Sequence, residues 1–225
     1  MKKKQTEDIE WLEFDLLSDI PELVHGVFLR QEGLFPNKEC IQRALKIDRL
    51  ISVHQVHGNA VEVVSVQIPP CDGIITQEKN VGLIINHADC QAALFYDPIQ
   101  RVIGNIHSGW RGNVLNIYAQ AIAKMHAQYG TNPADLLVCI SPSLGPNWAE
   151  FKNYKQEFPE HFWRFQIKPD YFDLWGVARM QLEECGVLPH HIEIASICTH
   201  SHPKEWYSYR RDKTKGRNGT VLALL

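Results

Sequence analysis

The chain of 225 residues has no long hydrophobic run and no strong excess of charge of one sign. Its apolar segments are much shorter than the roughly 20 residues that a transmembrane helix needs, so no membrane partner is expected. The formal net charge of −3 argues against a general nucleic-acid-binding surface. No apolar stretch follows the basic residues 1–4, which argues against a secretory signal peptide and favours a cytoplasmic protein.

Several well-known motifs are also missing from the chain. Its six cysteines show no CxxC spacing, and without an export signal we expect reduced thiols rather than disulfides. The HExxH motif of zinc metalloproteases and the GxGxxG fingerprint of dinucleotide-binding folds are both absent from the sequence. Nothing in these patterns therefore supports a nicotinamide- or flavin-dependent enzyme, and any metal site has to be found by other signals.

The composition is that of an ordinary globular protein, with 44% hydrophobic and 22% charged residues. Strand-like apolar segments outnumber helical ones and are interspersed with them along the chain. We therefore expect a mixed α+β fold: a single domain over residues 1–225 with a mixed, largely antiparallel sheet and flanking helices.

Helical periodicity is clearest over residues 113–129 and 170–185. Asn113 is the expected N-cap of the first of these helices, and Gly130 stands where a C-terminal glycine is common. A shorter helix is predicted over residues 37–47. Strands are predicted at several places, among them residues 11–17, 50–56 and 221–225.

The most informative stretch runs from residue 86 to residue 112. One apolar run over residues 81–85 leads into it, and a second, over residues 101–106, leads to His107. Between them, Asp97 and Pro98 suit a turn because proline fixes φ and has no amide hydrogen to donate. This pattern predicts a β-hairpin that brings Cys90 and His107 close together at its open end.

Cys90 and His107, together with His57, are candidate metal ligands. Zinc favours thiolate and imidazole ligands, and catalytic zinc sites keep three protein ligands and an open fourth position. With a single thiolate the site stays net positive, so the ion could polarise a substrate or lower the pKa of a bound water towards about 7. Two alternatives stay open: a free cysteine after an apolar strand is most often a small buried hydrophobe, and other histidines could be chosen instead. These are His54, His87, His200 and His202.

Three motifs carry a resemblance to a known family: QVHG at residues 55–58, ADC at 88–90 and HSGWRG at 107–112. In this order they resemble the family once described as multicopper polyphenol oxidases or laccase-domain proteins, whose bacterial members are described as purine nucleoside phosphorylases. The similarity continues through residues 144–146 and 208–211 to Gly216 and Arg217, and so covers nearly the whole chain from His25 onwards.

The resemblance implies that His57, Cys90 and His107 bind zinc. Copper is less favoured because the chain lacks the multiple His-x-His pairs of a copper cluster. The implied partners are a purine nucleoside and phosphate: adenosine, inosine and methylthioadenosine would be cleaved to the free base and the ribose 1-phosphate. Adenosine deamination is implied as an additional activity. The chain departs from the family at His87 and Ala92, where Thr and Pro are usual.

Phosphate needs cationic partners, and arginine recognises it through planar, bidentate hydrogen bonds. Arg111 is nearest to the ligands in sequence, Arg30 matches an early arginine of the family, and Arg210 is a later candidate. Asp89 completes the expected catalytic set with Cys90 and His107, since it could relay a proton or orient a ligand. Its alternative role is that of a carboxylate that caps a turn.

Two other hypotheses compete with the phosphorylase. In the first, Cys90 is the nucleophile of a metal-free cysteine hydrolase or amidase and His107 is its base. Its substrate would be a peptidoglycan precursor, because the resemblance includes a proposed role in editing such precursors. In the second, the chain is a non-catalytic family member that binds nucleosides. Metal analysis and nucleoside turnover separate the three.

Overall fold

The computed structural model of the chain describes residues 1–31, 33 and 35–225, and its strands form two six-stranded sheets. In spatial order, the first sheet contains β1 (Lys2–Gln5), β2 (Glu10–Glu13), β3 (Leu23–Phe28), β14 (Asn218–Leu224), β7 (Val81–His87) and β4 (Arg49–Ser52). The second contains β13 (Ile192–Ile194), β10 (Leu137–Ile140), β8 (Gln91–Asp97), β9 (Val102–Ser108), β6 (Gly73–Thr76) and β5 (Val61–Val63). A small hairpin is formed by β11 (Gln166–Lys168) and β12 (Tyr171–Phe172).

Most strand pairs are antiparallel, and the parallel ones are β4–β7, β5–β6 and β10–β13. The helices are α1 (Lys38–Leu45), α2 (Trp110–Val114), α3 (Ile117–Tyr129), α4 (Tyr154–Glu157), α5 (Leu174–Glu184) and α6 (Tyr209–Asp212). The predicted α+β class, with mixed strands and flanking helices, is confirmed. Within the described residues, no helix has both the length and the apolar character to cross a membrane.

The helix caps follow the sequence prediction in part. Asn37 caps α1 by accepting a hydrogen bond from the Cys40 amide, and Gly130 ends α3 in the left-handed conformation. The helix predicted from residue 113 is interrupted, however: α2 ends at Val114, and Asn116 caps α3. Asn116 adopts a left-handed φ of 49°, which asparagine tolerates better than most residues.

Two predicted strands end earlier than expected. The strand predicted over residues 11–17 ends at Glu13 and is followed by a 3₁₀ turn, Asp15–Leu17. The strand predicted over residues 50–56 ends at Ser52, so the residues that lead to His57 form a loop. This loop is held by side-chain contacts rather than by a β-ladder.

The two sheets pack face to face around a shared apolar core. Leu83 and Leu222 from the first sheet contact a cluster that includes Leu94 and Ile103 from the second. Asn105 on β9 crosses the interface, because its side-chain amide donates to two carbonyl oxygens of the first sheet at 2.8 Å each. Helices α3 and α5 cover the outer face of the second sheet, and α1 covers that of the first. The central strands are therefore buried on both faces.

The chain crosses from one sheet to the other between β7 and β8, at residues 88–90. From there β8 and β9 form the predicted hairpin, with Gln91 paired to Ser108 and Asp97 to Val102. The predicted fold had one sheet, whereas β7 and the hairpin belong to two. A continuously apolar run shows that a strand is buried, but it does not show which sheet the strand joins.

Candidate metal centre

Three side chains converge at the end of the β8–β9 hairpin. The potential ligand atoms of His57, Cys90 and His107 all lie within 4.8 Å of one another. The imidazole rings of His57 and His107 are nearly perpendicular, at 86°, with their centroids 4.9 Å apart. His107 is buried, Cys90 is half-buried and His57 is exposed. This arrangement could hold one metal ion and leave a position open to a substrate.

The hairpin fixes two of these three residues. His107 is the penultimate residue of β9 and pairs with Ala92 of β8, two residues after Cys90. The distance between Cys90 and His107 is therefore set by the register of a buried antiparallel ladder. The sequence prediction that the fold brings these two residues together agrees with this geometry.

The third residue, His57, is positioned by the buried carboxylate of Asp72. This carboxylate accepts hydrogen bonds from the amides of Val56, His57 and Gly58, at 3.2, 2.9 and 2.7 Å. It also contacts Nδ1 of His107 at 2.8 Å. With Nδ1 occupied by Asp72, His107 presents Nε2 to the cluster, as metal-binding histidines commonly do.

Asp72 reaches His107 because of strand pairing. It directly precedes β6, which pairs with β9 so that Gly73 lies opposite Ile106, and the Asp72 carbonyl accepts the His107 amide at 2.6 Å. Asp72 was not among the candidate residues predicted from the sequence. The signal that was available is an acidic residue directly before a continuously apolar segment.

The charges of the cluster stabilise one another. Burial raises the pKa of the Cys90 thiol, but His107 and His57 lower it more, and the resulting pKa is about 6. Burial lowers the pKa of His107, while the Cys90 thiolate and the Asp72 carboxylate raise it to about 9. Burial likewise raises the pKa of Asp72, but hydrogen bonds from His107 and two backbone amides lower it overall. Cys90 is therefore a thiolate at neutral pH, the form that binds metals.

Gly109 allows the two parts of the cluster to approach each other. A Cβ atom at this position would lie 3.1 Å from Cys90 Sγ and 3.3 Å from His57 Cδ2. Both distances are shorter than ordinary van der Waals contacts, so a side chain here would press on both residues. Gly109, the third residue of the HSGWRG motif, thus has a packing role.

A cavity of about 810 Å³ opens over the cluster. One set of its lining residues is apolar: Trp110, Leu144, Phe151 and Leu174. A second set is cationic: Arg111, Arg210, Lys213 and Arg217. The volume lies in the range of cavities that bind small molecules, and the cationic residues suit an anionic ligand.

The three predicted phosphate-binding arginines occupy different places. Arg111 lines the cavity, and its guanidinium carbon lies 4.3 Å from the ring centroid of Trp110. Arg210 also lines the cavity, but its Nη1 donates to the carbonyl of Glu150 at 3.0 Å. Arg30 lies away from these two, donating to the Pro203 carbonyl and stacking over the ring of Tyr207. The structure thus brings Arg111 and Arg210 to the cluster and places Arg30 elsewhere.

Two further cations also line the cavity. Lys213 follows α6 with a left-handed φ of 50°, and Arg217 directly precedes β14. Arg217 lies beside the cavity because the next residue, Asn218, pairs with His87.

Asp89 lies where the chain crosses from β7 to β8, and it connects this point to the loop at Thr199 and to α6. One carboxylate oxygen accepts from the Thr199 hydroxyl at 2.7 Å, and the other accepts from the Arg210 amide. Its backbone carbonyl accepts from the Leu144 amide, and its φ of 81° is unusual for a residue other than glycine. Of the two roles considered for Asp89, this geometry matches the capping and positioning carboxylate.

The family model described as "Multi-copper polyphenol oxidoreductase laccase" matches residues 30–225 of this chain. The chain belongs to this family. The resemblance that the three sequence motifs indicated is therefore confirmed, and the match includes all three residues of the cluster.

Named relatives and a solved structure extend the comparison. A Bacteroides thetaiotaomicron protein named purine nucleoside phosphorylase is 36% identical over 164 residues, which are 68% of this chain and 59% of that protein. The Geobacillus stearothermophilus purine nucleoside phosphorylase YlmD is 29% identical over 226 residues, covering 96% of this chain and 74% of that one. The crystal structure of Bacillus licheniformis hypothetical protein YfiH superposes with a TM-score of 0.86 at 22% identity, covering 99% of each chain. The fold is shared with this structure.

Proposed function

We propose that the protein is a zinc-dependent purine nucleoside phosphorylase that acts on adenosine, inosine and methylthioadenosine. The observation that carries the proposal is the His57–Cys90–His107 cluster, which lines a cavity that also contains arginine and lysine side chains. The names of the Bacteroides and Geobacillus relatives give the reaction class. The cavity's volume of about 810 Å³ accommodates a nucleoside together with phosphate.

The donor set fits zinc. Two imidazoles and one thiolate are typical ligands of this ion, and Asp72 fixes the orientation of His107 in the way that carboxylates support zinc-bound histidines. With a pKa of about 6, the Cys90 thiol is already largely deprotonated at neutral pH, so a metal displaces little or no proton from it when it binds. Bound zinc would supply Lewis acidity beside the substrate.

Phosphorolysis joins a phosphate oxygen to C1′ of the ribose while the bond from C1′ to the purine nitrogen breaks and its electrons move to the base. Arg111 is the first candidate for holding phosphate. It lines the cavity, and no carboxylate in residues 1–31, 33 and 35–225 pairs with it. Asp89 contributes by positioning Arg210, since one of its carboxylate oxygens accepts the amide of that residue. Cys90 and His107 contribute through the charge that they place at the cavity, which both of them line.

Adenosine deamination is the second activity in the proposal. The HxE and PCxxC arrangement of the zinc deaminases is absent from this sequence, so the reaction would use a different site from theirs. Release of ammonia from adenosine without added phosphate tests this activity separately from phosphorolysis.

The main test is phosphate-dependent release of hypoxanthine from inosine, measured by chromatography with and without a chelator. We expect release that needs phosphate, stops after chelation and returns when zinc is added. Release without phosphate would indicate a hydrolase, and the absence of release from every purine nucleoside would refute the phosphorylase.

A metal-free cysteine hydrolase remains the second candidate, because Cys90 and His107 have the shifted pKa values of a thiolate–imidazolium pair. Elemental analysis of the purified protein separates the two functions. Stoichiometric zinc supports the phosphorylase, whereas a metal-free protein that is inactivated by alkylation at Cys90 supports the hydrolase. Nucleoside binding without turnover would identify a non-catalytic family member.

A further inference from the structure

The cavity over the metal cluster holds more positive charge than one phosphate balances. Four cationic side chains line it: Arg111, Arg210, Lys213 and Arg217. None of them pairs with a carboxylate within the described part of the chain. Asp89 is the one carboxylate among the described lining residues, and both of its oxygens already accept hydrogen bonds. Four cations and one carboxylate leave three positive charges, whereas a phosphate group carries at most about two negative ones.

Two of the four cations lie on an aromatic wall. The ring centroids of Trp110 and Phe151 are 6.2 Å apart. The guanidinium carbon of Arg111 lies 4.3 Å from the Trp110 centroid, and that of Arg210 lies 5.7 Å from the Phe151 centroid. Stacking on a ring face orients a guanidinium without using up its N–H groups. Arg111 and Arg210 thus form a first cationic group.

The other two cations belong to the loop between α6 and β14. Arg217 Nη1 donates to the carbonyls of Thr214 and Gly216, at 3.2 and 2.9 Å. The guanidinium therefore folds back onto its own loop, next to the residue that follows Lys213. The Lys213 ammonium lies 5.0 Å from the ring centroid of Tyr209, which also lines the cavity. Lys213 and Arg217 thus form a second cationic group, which this loop places together.

The second cationic group is fixed to the first sheet. The main chain of Tyr207 makes two hydrogen bonds to the Asn218 side chain, at 2.9 and 3.0 Å, and these close the base of the loop. The next residue of β14, Gly219, packs against Pro36, since a Cβ at Gly219 would lie 2.8 Å from Pro36 Cγ. Phe35, beside Pro36, lines the cavity and is 61% exposed. The second group thus shares its end of the cavity with an exposed aromatic ring.

The two groups are supplied by different sheets. Arg111 lies on α2, directly after β9 of the second sheet, whereas Arg217 leads into β14 of the first. Cys90, at the crossing from one sheet to the other, places the metal cluster between them. Phosphorolysis needs one phosphate, and Arg111 is the first candidate to hold it. The second group is then free for an anionic substituent that the nucleoside itself carries.

We propose that Lys213 and Arg217 form a second anion site, which binds the 5′-phosphate of a purine nucleoside monophosphate while Arg111 and Arg210 hold inorganic phosphate. The inference rests on the proposed function and adds a class of ligand to that same site. A nucleoside monophosphate competes with a nucleoside for the cavity. It binds more tightly, because its phosphate gains charge-assisted hydrogen bonds to two cations that a nucleoside leaves unused.

Ligand binding to the unmodified protein tests this inference. Titration calorimetry without phosphate compares inosine with inosine 5′-monophosphate at constant ionic strength, and chromatography checks that both stay intact. We expect the monophosphate to bind about tenfold or more tightly. Equal affinities would overturn the inference alone, whereas no binding of either ligand would overturn the proposed function with it.

A second titration separates two anion sites from one. Sulfate, an unreactive analogue of inorganic phosphate, is titrated into the protein saturated with inosine or with inosine 5′-monophosphate. Sulfate should bind to both complexes, because the first cationic group stays free in each. If the monophosphate excludes sulfate and inosine does not, all four cations serve a single anion and the inference is wrong.

A pair of variants assigns the preference to the second group. Lys213→Gln removes one of its two charges, so the ratio of monophosphate to inosine affinity should fall about fivefold or more while inosine affinity is kept. Lys215→Gln is the matched control, because Lys215 is an exposed lysine of the same loop outside the described cavity lining. It should leave the ratio unchanged, and an equal loss in both variants would overturn the assignment. Circular dichroism checks folding, and the titrations on the unmodified protein decide if Lys213→Gln does not fold.

Discussion

The two parts of the candidate metal site are built in different ways. Cys90 and His107 are placed by a buried hairpin whose register leaves them little freedom. His57 lies on an exposed loop outside the β-ladders, with a left-handed φ of 60°. The hairpin part is held by many backbone contacts. The loop part is held by the Asp72 carboxylate and, two residues before His57, by two hydrogen bonds between the Gln55 side chain and the Asn86 backbone.

Asp72 is the residue that joins these two parts. Its carboxylate holds the amides around His57 and also contacts His107 Nδ1, so one buried side chain sets the position of a loop and the orientation of a strand residue. A site of this kind can fail in two ways: by loss of a ligand from the hairpin part, or by release of the loop part. Variants in each part separate the two failures.

The largest effect is expected when the hairpin part loses the thiolate of Cys90. Cys90→Ala should abolish stoichiometric zinc binding and lower phosphorolysis roughly 10³-fold or more, because a catalytic site with three protein ligands loses its only anionic one. Elemental analysis and inosine turnover measure the two effects. Cys139→Ala, in the buried core of β10, is the control: it should lower stability but keep the zinc. Full zinc occupancy in Cys90→Ala would refute the ligand assignment.

The hairpin is also the part of the site that the sequence predicts well. The turn at Asp97 and Pro98, between two apolar runs, is a local signal, and the motifs around Cys90 and His107 lie at the strand ends that these runs define. Asp72 was missed because its local pattern, an aspartate before a glycine, is also that of an ordinary turn. Only pairing between β6 and β9 places this carboxylate opposite His107, and pairing between distant strands leaves no local signature.

The second prediction releases the loop part. Asp72→Ala removes the acceptor of four hydrogen bonds and leaves the buried Nδ1 of His107 and three half-buried amides unpaired, so we expect a loss of about 3 kcal/mol in the free energy of unfolding. Zinc affinity should fall about 10- to 100-fold, as expected for the loss of a carboxylate that orients a metal-bound histidine. Thermal denaturation and competition with a chelator of known affinity measure these changes.

Asp97→Ala is the matched control for Asp72→Ala. Asp97 is equally buried, lies at the far end of β8 and accepts the amides of Ile99 and Gln100 at 2.9 Å. Its loss should cost about 1 to 2 kcal/mol of stability and leave zinc affinity unchanged. If both variants lose zinc affinity equally, general destabilisation rather than release of the His57 loop explains the effect.

The third prediction concerns pH in the metal-free protein. The thiolate fraction rises as pH passes the pKa from below, so alkylation of Cys90 should be half-maximal near pH 6, about where its lowered pKa lies. Burial raises the pKa of Cys185, so its alkylation should still be increasing above pH 9. At pH 7 we expect Cys90 to react roughly two- to threefold faster than an ordinary cysteine, because its larger thiolate fraction is partly offset by the lower nucleophilicity of a low-pKa thiolate. Peptide mass spectrometry after chelation measures both rates.

Asp72 also influences the pH dependence of Cys90 alkylation, because it contacts both the hairpin and the loop. Its carboxylate helps to keep His107 protonated, and protonated His107 helps to keep Cys90 ionised. Asp72→Asn should therefore move the midpoint of Cys90 alkylation to higher pH. A midpoint near pH 9 in the unmodified protein would show that the two parts together do not activate the thiol.

The smallest effect is expected where the two parts touch. Gly109→Ala would place Cβ 3.1 Å from Cys90 Sγ and 3.3 Å from His57 Cδ2, so one of them must move by a few tenths of an ångström. Because the hairpin is fixed by its ladder, we expect the His57 loop to move and zinc affinity to fall about fivefold. Chelator competition measures this loss.

Gly58→Ala is the control within the loop part itself. Its Cβ would meet Asp72 Oδ2 at an ordinary 3.6 Å, and the amide that donates to Asp72 is kept, so zinc affinity should stay within about twofold of the unmodified protein. If Gly58→Ala lowers the affinity as much as Gly109→Ala, the loop is as intolerant of added volume as the hairpin contact. In that case the exposed His57 loop would be as tightly constrained as the buried hairpin, and the two parts of the site would not differ in this respect.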